Sequence, residues 1–275
     1  MLDSYRIRRS RSFVEMTGPT ASCLMVTRPG RLEAVRAAVA DFSRQSYAPK
    51  ELIIVVDDAD YASQVDRAVR DNQESIYLVR VAPKLSLGEL RNVALNSCHG
   101  EYACQWDDDD RYSVDRLALQ MGPLRDGKIN ACFLFQQLYF FENQRELFWT
   151  DWRYRDGRGV RSGLNVIPGT VMCKRGIAFY PEQGERATRG EDTVFASKLF
   201  PAGAIGIETP PGTYFRTYHG ANTWDWPHHR ENAVRKSRSL EAIRANRSAI
   251  LDALAHFEIA APVKVMAGNR VVFRI

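Results

Sequence analysis

Cysteine is scarce and scattered in this chain, and no two cysteines form a CxxC pair. Cys23, Cys98, Cys104, Cys132 and Cys173 are also odd in number. Neither a disulfide framework nor a cysteine-ligated zinc site is expected, and reduced thiols fit best. Long apolar runs are missing: nothing approaches the ~18 consecutive apolar residues of a membrane span. The basic start MLDSYRIRRSRS leads into no apolar stretch, so a cytoplasmic protein without a secretory signal is expected. Neither GxxxxGK[ST] nor GxGxxG occurs, which removes the phosphate cradles of P-loop and dinucleotide-binding folds. Internal repeats and low-complexity linkers are absent too.

What is present is an ordinary globular composition. The 275 residues suffice for one large domain or two small ones, and 45% hydrophobic with 26% charged residues allows a real core. The net charge is +5, with four arginines between Arg6 and Arg11 and more basic residues from Arg230 to Arg247. Such a balance suits a phosphorylated substrate, an anionic membrane surface touched peripherally, or nucleic acid, and equally a plain solvated surface.

Strand and helix patterns alternate through the first hundred residues. Ala21–Thr27 is an apolar run of strand length, and Leu32, Val35, Val39 and Phe42 then recur at helical spacing. Glu51–Val56 is β-branched and apolar, as a strand buried on both faces should be, and it ends in Asp57-Asp58. Ala62–Gln73 reads as a helix, Ile76–Val81 as a strand, Leu87–Cys98 as a helix and Tyr102–Trp106 as a fourth strand. This alternation predicts an α/β fold around a mostly parallel sheet with right-handed crossovers. Ligands of such sheets bind beyond the carboxyl ends of the strands, where Thr27, Asp58 and the run Asp107–Asp110 all fall.

The second half is less regular. Ser113 is expected to cap a helix running to about Met121, and Ala131–Phe141 and Glu146–Trp152 read as two strands. Asp156-Gly157-Arg158-Gly159 reads as a loop, Thr170–Lys174 as a strand, Asp192–Phe200 as a helix and Tyr214–Tyr218 as a strand. Glu231–Phe257 reads as one long basic amphipathic helix, more suited to docking than to catalysis, and Val263–Phe273 as a hairpin turning at Gly268-Asn269. Trp224, Trp226, His228 and His229 would either stack on a substrate or pack that helix.

Four adjacent carboxylates at the end of a buried strand raise one another's pKa and need a positive partner. That partner is a metal ion, a set of arginines and lysines, or only water. Mg²⁺ and Mn²⁺ favour carboxylate oxygens and share them with substrate phosphates. In an extended segment Asp107 and Asp109 would address one cation while Asp108 faces elsewhere. A phosphatase-type aspartyl nucleophile is excluded because Arg111 follows the run. An EF-hand is excluded because Tyr112 and Ala118 occupy its Gly and Glu positions. Nucleic acid is disfavoured, since carboxylates at the rim repel phosphates.

An apolar strand ending in Thr27, then LIIVVDD, then LGELRNVALNSCHGEY, then WDDDDRYSVDRL, together resemble the nucleotide-sugar-binding half of inverting family 2 glycosyltransferases with the GT-A fold. The resemblance covers about Ala21 to Leu117 and continues more loosely through RGEDTVFASKL and YHGANTW to about Trp224. It implies a GT-A, Rossmann-like, mostly parallel mixed sheet flanked by helices, to which the residue pattern adds a C-terminal helix and hairpin appendage that the resemblance does not cover. The division expected is a basic segment at 1–18, a glycosyltransferase domain at 19–225 (donor half 19–117, acceptor half 118–225) and an appendage at 226–275. Its activity would be transfer from a UDP-sugar or related nucleotide-diphosphate sugar to a hydroxyl of a glycan, lipid-linked or other acceptor, with Mn²⁺ or Mg²⁺ as cofactor. A non-catalytic sugar- or nucleotide-binding module is the alternative on the same fold.

By the same resemblance, Thr27 lies beside the nucleotide base and Asp58 bonds the uracil. Arg91, in LRN where the family pattern reads ARN, lies near the nucleotide, and Asp108 contacts the ribose. Asp109 and Asp107 are metal ligands, His219 completes the metal site in some members, and Asp192 is the general base, a better match than Glu191. The loop Arg28-Pro29-Gly30 is shorter than the family's polar YNR loop, which affects contacts to the base edge.

Overall fold

The computed structural model describes residues 18–275 except 71, 73, 74, 154–163, 221 and 223. The basic cluster at 6–11 and the loop at 156–159 lie outside the described residues, as does nearly all of the segment 1–18.

Strands β1 (Ala21–Val26), β2 (Lys50–Val56), β3 (Ile76–Arg80) and β4 (Tyr102–Gln105) alternate with helices α1 (Leu32–Ser43), α2 (Ala59–Val69) and α3 (Leu87–Ser97). A short strand β5 (Asp110–Tyr112) and helix α4 (Arg116–Leu124) follow. Next come β6 (Ala131–Leu134), β7 (Gln136–Phe141), β8 (Glu146–Asp151), β9 (Met172–Lys174), α5 (Glu191–Leu199), β10 (Ala204–Ile207) and β11 (Tyr214–Tyr218). Helices α6 (Trp226–Arg235), α7 (Leu240–Ala245) and α8 (Arg247–His256) precede the hairpin of β12 (Lys264–Ala267) and β13 (Arg270–Arg274).

The described residues divide into two compact units: those within 1–109, 114–133 and 168–205 form the first, and those within 110–113, 134–167 and 206–275 the second. The first carries a seven-stranded sheet in the order β10-β6-β9-β4-β1-β2-β3. β1 runs parallel to both β2 and β4, and β2 is parallel to β3, while β9 is antiparallel to β4 and β6. The chain builds outward from β1 through β2 to β3, then returns to place β4 on the other side of β1. The gap beyond the carboxyl ends of β1 and β4 is therefore a topological switch point, where open α/β sheets bind ligands.

Burial explains these elements. β1 and β2 are covered on both faces, and α1 turns Val35, Ala38, Val39 and Phe42 to the core. Trp106, directly after β4, is fully buried, lies edge-on to Phe42 and donates its indole N–H to the Ala38 carbonyl at 3.0 Å. Truncating it to Ala would cost about 3–5 kcal/mol. It pins the aspartate run to the sheet. At the start of α3, Ser86 and Glu89 form a reciprocal capping box. Gly88 is required there: a Cβ would stand 1.8 Å from the Pro181 carbonyl oxygen.

The second unit carries a six-stranded sheet, β13-β12-β8-β7-β11-β5. One face packs Leu138, Phe140, Leu147 and Trp149 against Ile243, Ile250 and Leu254, and Tyr139, Phe141 and Phe148 pack with Ala233 and Tyr218. β12 pairs in parallel with β8, so the C-terminal hairpin continues this sheet.

Three local expectations change. The segment 231–257 is broken into α6, α7 and α8, because the Ser239 side chain caps α7 by accepting from Ala242 N–H and the chain turns again at Asn246. The apolar run 131–141 is two strands in different sheets, interrupted at Phe135, whose backbone bonds Ile207 and Trp152 instead. Helix α4 starts later, at Arg116, because Ser113 donates its backbone N–H to Thr213.

Candidate active site

Thr27 follows β1, Asp58 follows β2, and Asp107 lies two residues beyond β4. The sheet register thus delivers a hydroxyl and several carboxylates to one rim of the first unit. Thr27 donates its hydroxyl to Asp108 Oδ2 at 2.6 Å. Its single proton is used there, so the Tyr61 hydroxyl, 3.3 Å away, donates to the Thr27 oxygen. Asp108 is 3% exposed. Burial, and then the charge of Asp109, push its carboxyl up to about 6, while Arg31 and Thr27 pull the other way.

The positive partners of the aspartate run are two arginines. Arg31 Nη1 reaches Asp108 Oδ1 at 2.8 Å and Asp109 Oδ2 at 2.7 Å. Arg91, on α3, donates from Nη1 to Asp107 Oδ1 at 2.9 Å and from Nε to Glu191 Oε1 at 3.0 Å. Gln105 also donates to Asp107 Oδ2, at 2.7 Å. Asp110, in the second unit, accepts from the Tyr214 hydroxyl. One guanidinium therefore pairs Asp108 with Asp109, where strict alternation would pair Asp107 with Asp109. The physical reason is that residues 108 and 109 form a turn, and the two-residue period of a strand does not hold in a turn.

Arg91 is held in place by packing on α3. Asn92 exchanges two hydrogen bonds with the Tyr180 backbone, at 3.0 and 2.8 Å. The Tyr180 ring stacks on Phe195 of α5 at 4.0 Å and its hydroxyl donates to Gln105 Oε1. Leu24, Val26, Arg91, Ala94, Gln105 and Tyr180 line a small cleft at this junction.

Helix α5 opens after Gly190, whose φ of 79° suits glycine. Glu191 is buried and committed to Arg91, and burial holds its carboxyl above the usual range against the pull of that arginine. Asp192 is half-buried and its Oδ1 accepts from the Thr193 backbone N–H at 2.6 Å. Asp58 caps α2 by accepting from Tyr61 N–H at 2.7 Å, which is a structural task in its own right. His219 belongs to the second unit, where its backbone N–H donates to Asn222 Oδ1 at 3.0 Å.

The structure thus joins Thr27, Asp108 and Asp109 through hydrogen bonds and Asp107 to Arg91, and adds Arg31, Tyr61 and Glu191 to the expected set. Arg31 was legible only as a basic residue in a loop after the first strand, with charge complementarity to four aspartates as the signal. Among the described residues, no three His, Cys, Asp or Glu side chains are grouped to hold a metal. No described helix is long and apolar enough to cross a membrane.

No curated protein is similar enough in sequence to match. Solved structures share the fold at low identity. The chain is similar to Staphylococcus aureus TarS residues 1–349 in complex with UDP-GlcNAc, with 17% identity, a TM-score of 0.54, and coverage of 88% of this chain and 73% of that one. It is also similar to the Pyrobaculum calidifontis mannosyltransferase PcManGT in complex with GDP-Man and Mn²⁺, with 16% identity, a TM-score of 0.55, and coverage of 88% and 71%. Residues 22–181 match the family described as Glycosyl transferase family 2. That span holds the sheet's switch point, both arginine clamps and the chain leading into α5, and the protein belongs to glycosyl transferase family 2.

Proposed function

We propose that this glycosyltransferase is metal-dependent and inverting, and that it moves a sugar from a nucleotide-diphosphate sugar, in the first instance a UDP-sugar, to an acceptor hydroxyl in glycan or polysaccharide synthesis. The observation that carries this reading is the hydrogen-bonded cluster of Thr27, Asp108, Asp109 and Arg31 at the sheet's switch point. In it a buried carboxylate sits beside a partly exposed one. Relatives of the same fold are known in complex with UDP-GlcNAc or with GDP-Man and Mn²⁺.

In this reading Thr27 and Asp58 face the base, Asp108 the ribose, and Arg91, which bonds Asp107, lies near the nucleotide. Asp107 and Asp109 are 21% and 23% exposed, and both offer hard oxygen donors. This donor set suits Mg²⁺ or Mn²⁺ held by one or two carboxylates, with phosphate oxygens and water completing the shell. It does not suit a ready-made cage. Bound there, the cation would neutralise charge developing on the departing diphosphate.

Asp192 is the better base because the Glu191 carboxylate already serves Arg91. Asp192 would take the acceptor's proton as the new bond forms, on the face opposite the leaving diphosphate, giving inversion. Calorimetric titration of UDP, with and without Mn²⁺, into wild type and Asp109→Asn tests the donor site. Binding that needs both Mn²⁺ and Asp109 is expected. Silence of UDP, GDP, CDP and dTDP under both conditions would overturn the reading.

A further inference from the structure

We propose that Arg31 is the internal counter-ion of the aspartate loop: it competes with the divalent cation for Asp109 in the free protein and couples cation binding to nucleotide binding. The inference rests on the cation reading above and adds to it a residue that the sequence pattern did not assign.

The geometry is specific. A single guanidinium nitrogen, Nη1, bonds both Asp108 Oδ1 and Asp109 Oδ2. Asp108 is anchored independently, since its other oxygen accepts from Thr27. Asp109 is the more exposed of the two, at 23% against 3%. A cation arriving at Asp109 therefore meets a carboxylate oxygen already engaged by a full positive charge. Metal and guanidinium repel each other at that distance, so the free protein should hold the metal weakly.

The arginine is also placed to leave. Its backbone is fixed at the start of α1, where the Arg31 carbonyl accepts from Val35 N–H at 2.9 Å. Gly30, at φ 89°, forms the preceding turn. The side chain reaches the aspartates along its flexible stem, and its Nε and Nη2 donors make no hydrogen bond among the described residues. A diphosphate offers the planar guanidinium fork a bidentate partner. Once Arg31 turns to the diphosphate, the Asp109 oxygen is released to the cation. By linkage, the factor by which nucleotide tightens metal binding equals the factor by which metal tightens nucleotide binding.

The test is Mn²⁺ binding to the intact protein without sugar donor, followed by electron paramagnetic resonance of free Mn²⁺, with and without UDP or GDP. The proteins are wild type, Arg31→Gln, Arg31→Lys and a control, Arg36→Gln. Arg36 lies on α1, is half exposed and pairs with Glu33. The control therefore measures the effect of removing a nearby charge that does not touch the aspartates.

The expected result is that Arg31→Gln binds Mn²⁺ alone about tenfold more tightly than wild type, the loss of one charge-assisted contact that the metal must displace. The nucleotide-induced gain in Mn²⁺ affinity should shrink in the same variant. Arg31→Lys should fall between, and Arg36→Gln should match wild type. Unchanged or weaker Mn²⁺ binding in Arg31→Gln overturns the inference, as does an equal gain in Arg36→Gln. If no protein binds Mn²⁺ under any condition, the inference falls together with the cation reading. UDP and GDP titrations in EDTA then show separately whether the donor reading stands.

Discussion

Replacing Arg91 by Met removes the charge that holds two acidic groups in the first unit while keeping the length of an apolar stem. The guanidinium is 11% exposed, Glu191 is 6% exposed and Asp107 21%. Deleting one partner of a buried ion pair leaves the other uncompensated, and the cost is about 3–5 kcal/mol. Most of it should come from Glu191, because Asp107 keeps its hydrogen bond from Gln105.

The loss should depend on pH in a defined direction. Burial already raises the Glu191 carboxyl, and Arg91 is what pulls it down, so the variant's Glu191 moves further up. A carboxyl raised above its unfolded value of about 4.3 binds more protons folded than unfolded between those two values, and stability rises there as pH falls. Urea denaturation should therefore show the full deficit at pH 8 and a smaller one at pH 5. Adding Glu191→Gln to Arg91→Met should recover at least half of the pH 8 loss, because the buried charge is gone. A deficit below about 1 kcal/mol at pH 8, or an equal deficit at both pH values, would refute the reasoning.

Two further predictions concern chemistry and the second unit. Asp192→Asn should lower the transfer rate by about 10²–10⁴-fold, the usual worth of a positioned general base, with donor affinity kept; ordinary turnover in a radiolabelled-sugar assay would remove Asp192 from the mechanism. Lys236 is 5% exposed, lies over the Trp152 ring and has its amine pushed down to about 7, chiefly by burial and then by Arg235 and Arg216. The unfolded chain binds more protons than the folded one from there to about 10.4, so stability gained through this residue rises with pH. Lys236→Met should therefore raise thermal stability most at or below pH 7, by up to about 4 kcal/mol, and little at pH 10. A variant equally or less stable at pH 6 would contradict this.

The first hundred residues were largely legible because their signals are local. ELIIVV can only be a strand covered on both faces, and helical spacing from Leu32 to Phe42 puts α1 against it. Two buried faces and right-handed crossovers then order the strands. The positions of Thr27, Asp58 and the aspartates at the rim follow from strand ends alone. What stayed hidden depends on long-range contact. ACFLFQQLYFF is uniformly apolar, so nothing local reveals that it changes sheets at Phe135. The basic run around Lys236 keeps helical spacing while Ser239 and Asn246 interrupt it through hydrogen bonds that only the folded chain makes. Arg31 and Asp109 are 78 positions apart, and Arg91 and Glu191 are 100 apart. No periodicity connects residues so distant, and only the folded sheet brings them within a hydrogen bond.

The contact between Gly88 and the Pro181 carbonyl has a consequence for how such a protein diversifies. Because backbone meets backbone there, main chain sets the closest approach between the helix bearing Arg91 and the stretch that leads into Asp192, and side chains such as Asn92 add hydrogen bonds to it. Exposed residues of that stretch, such as Glu185 and Thr188, can be exchanged without moving the helix, as the jaws of a vice can be refaced while its screw is left alone. The glycine itself is barred from change, because even a methyl group there would force the helix and that stretch apart.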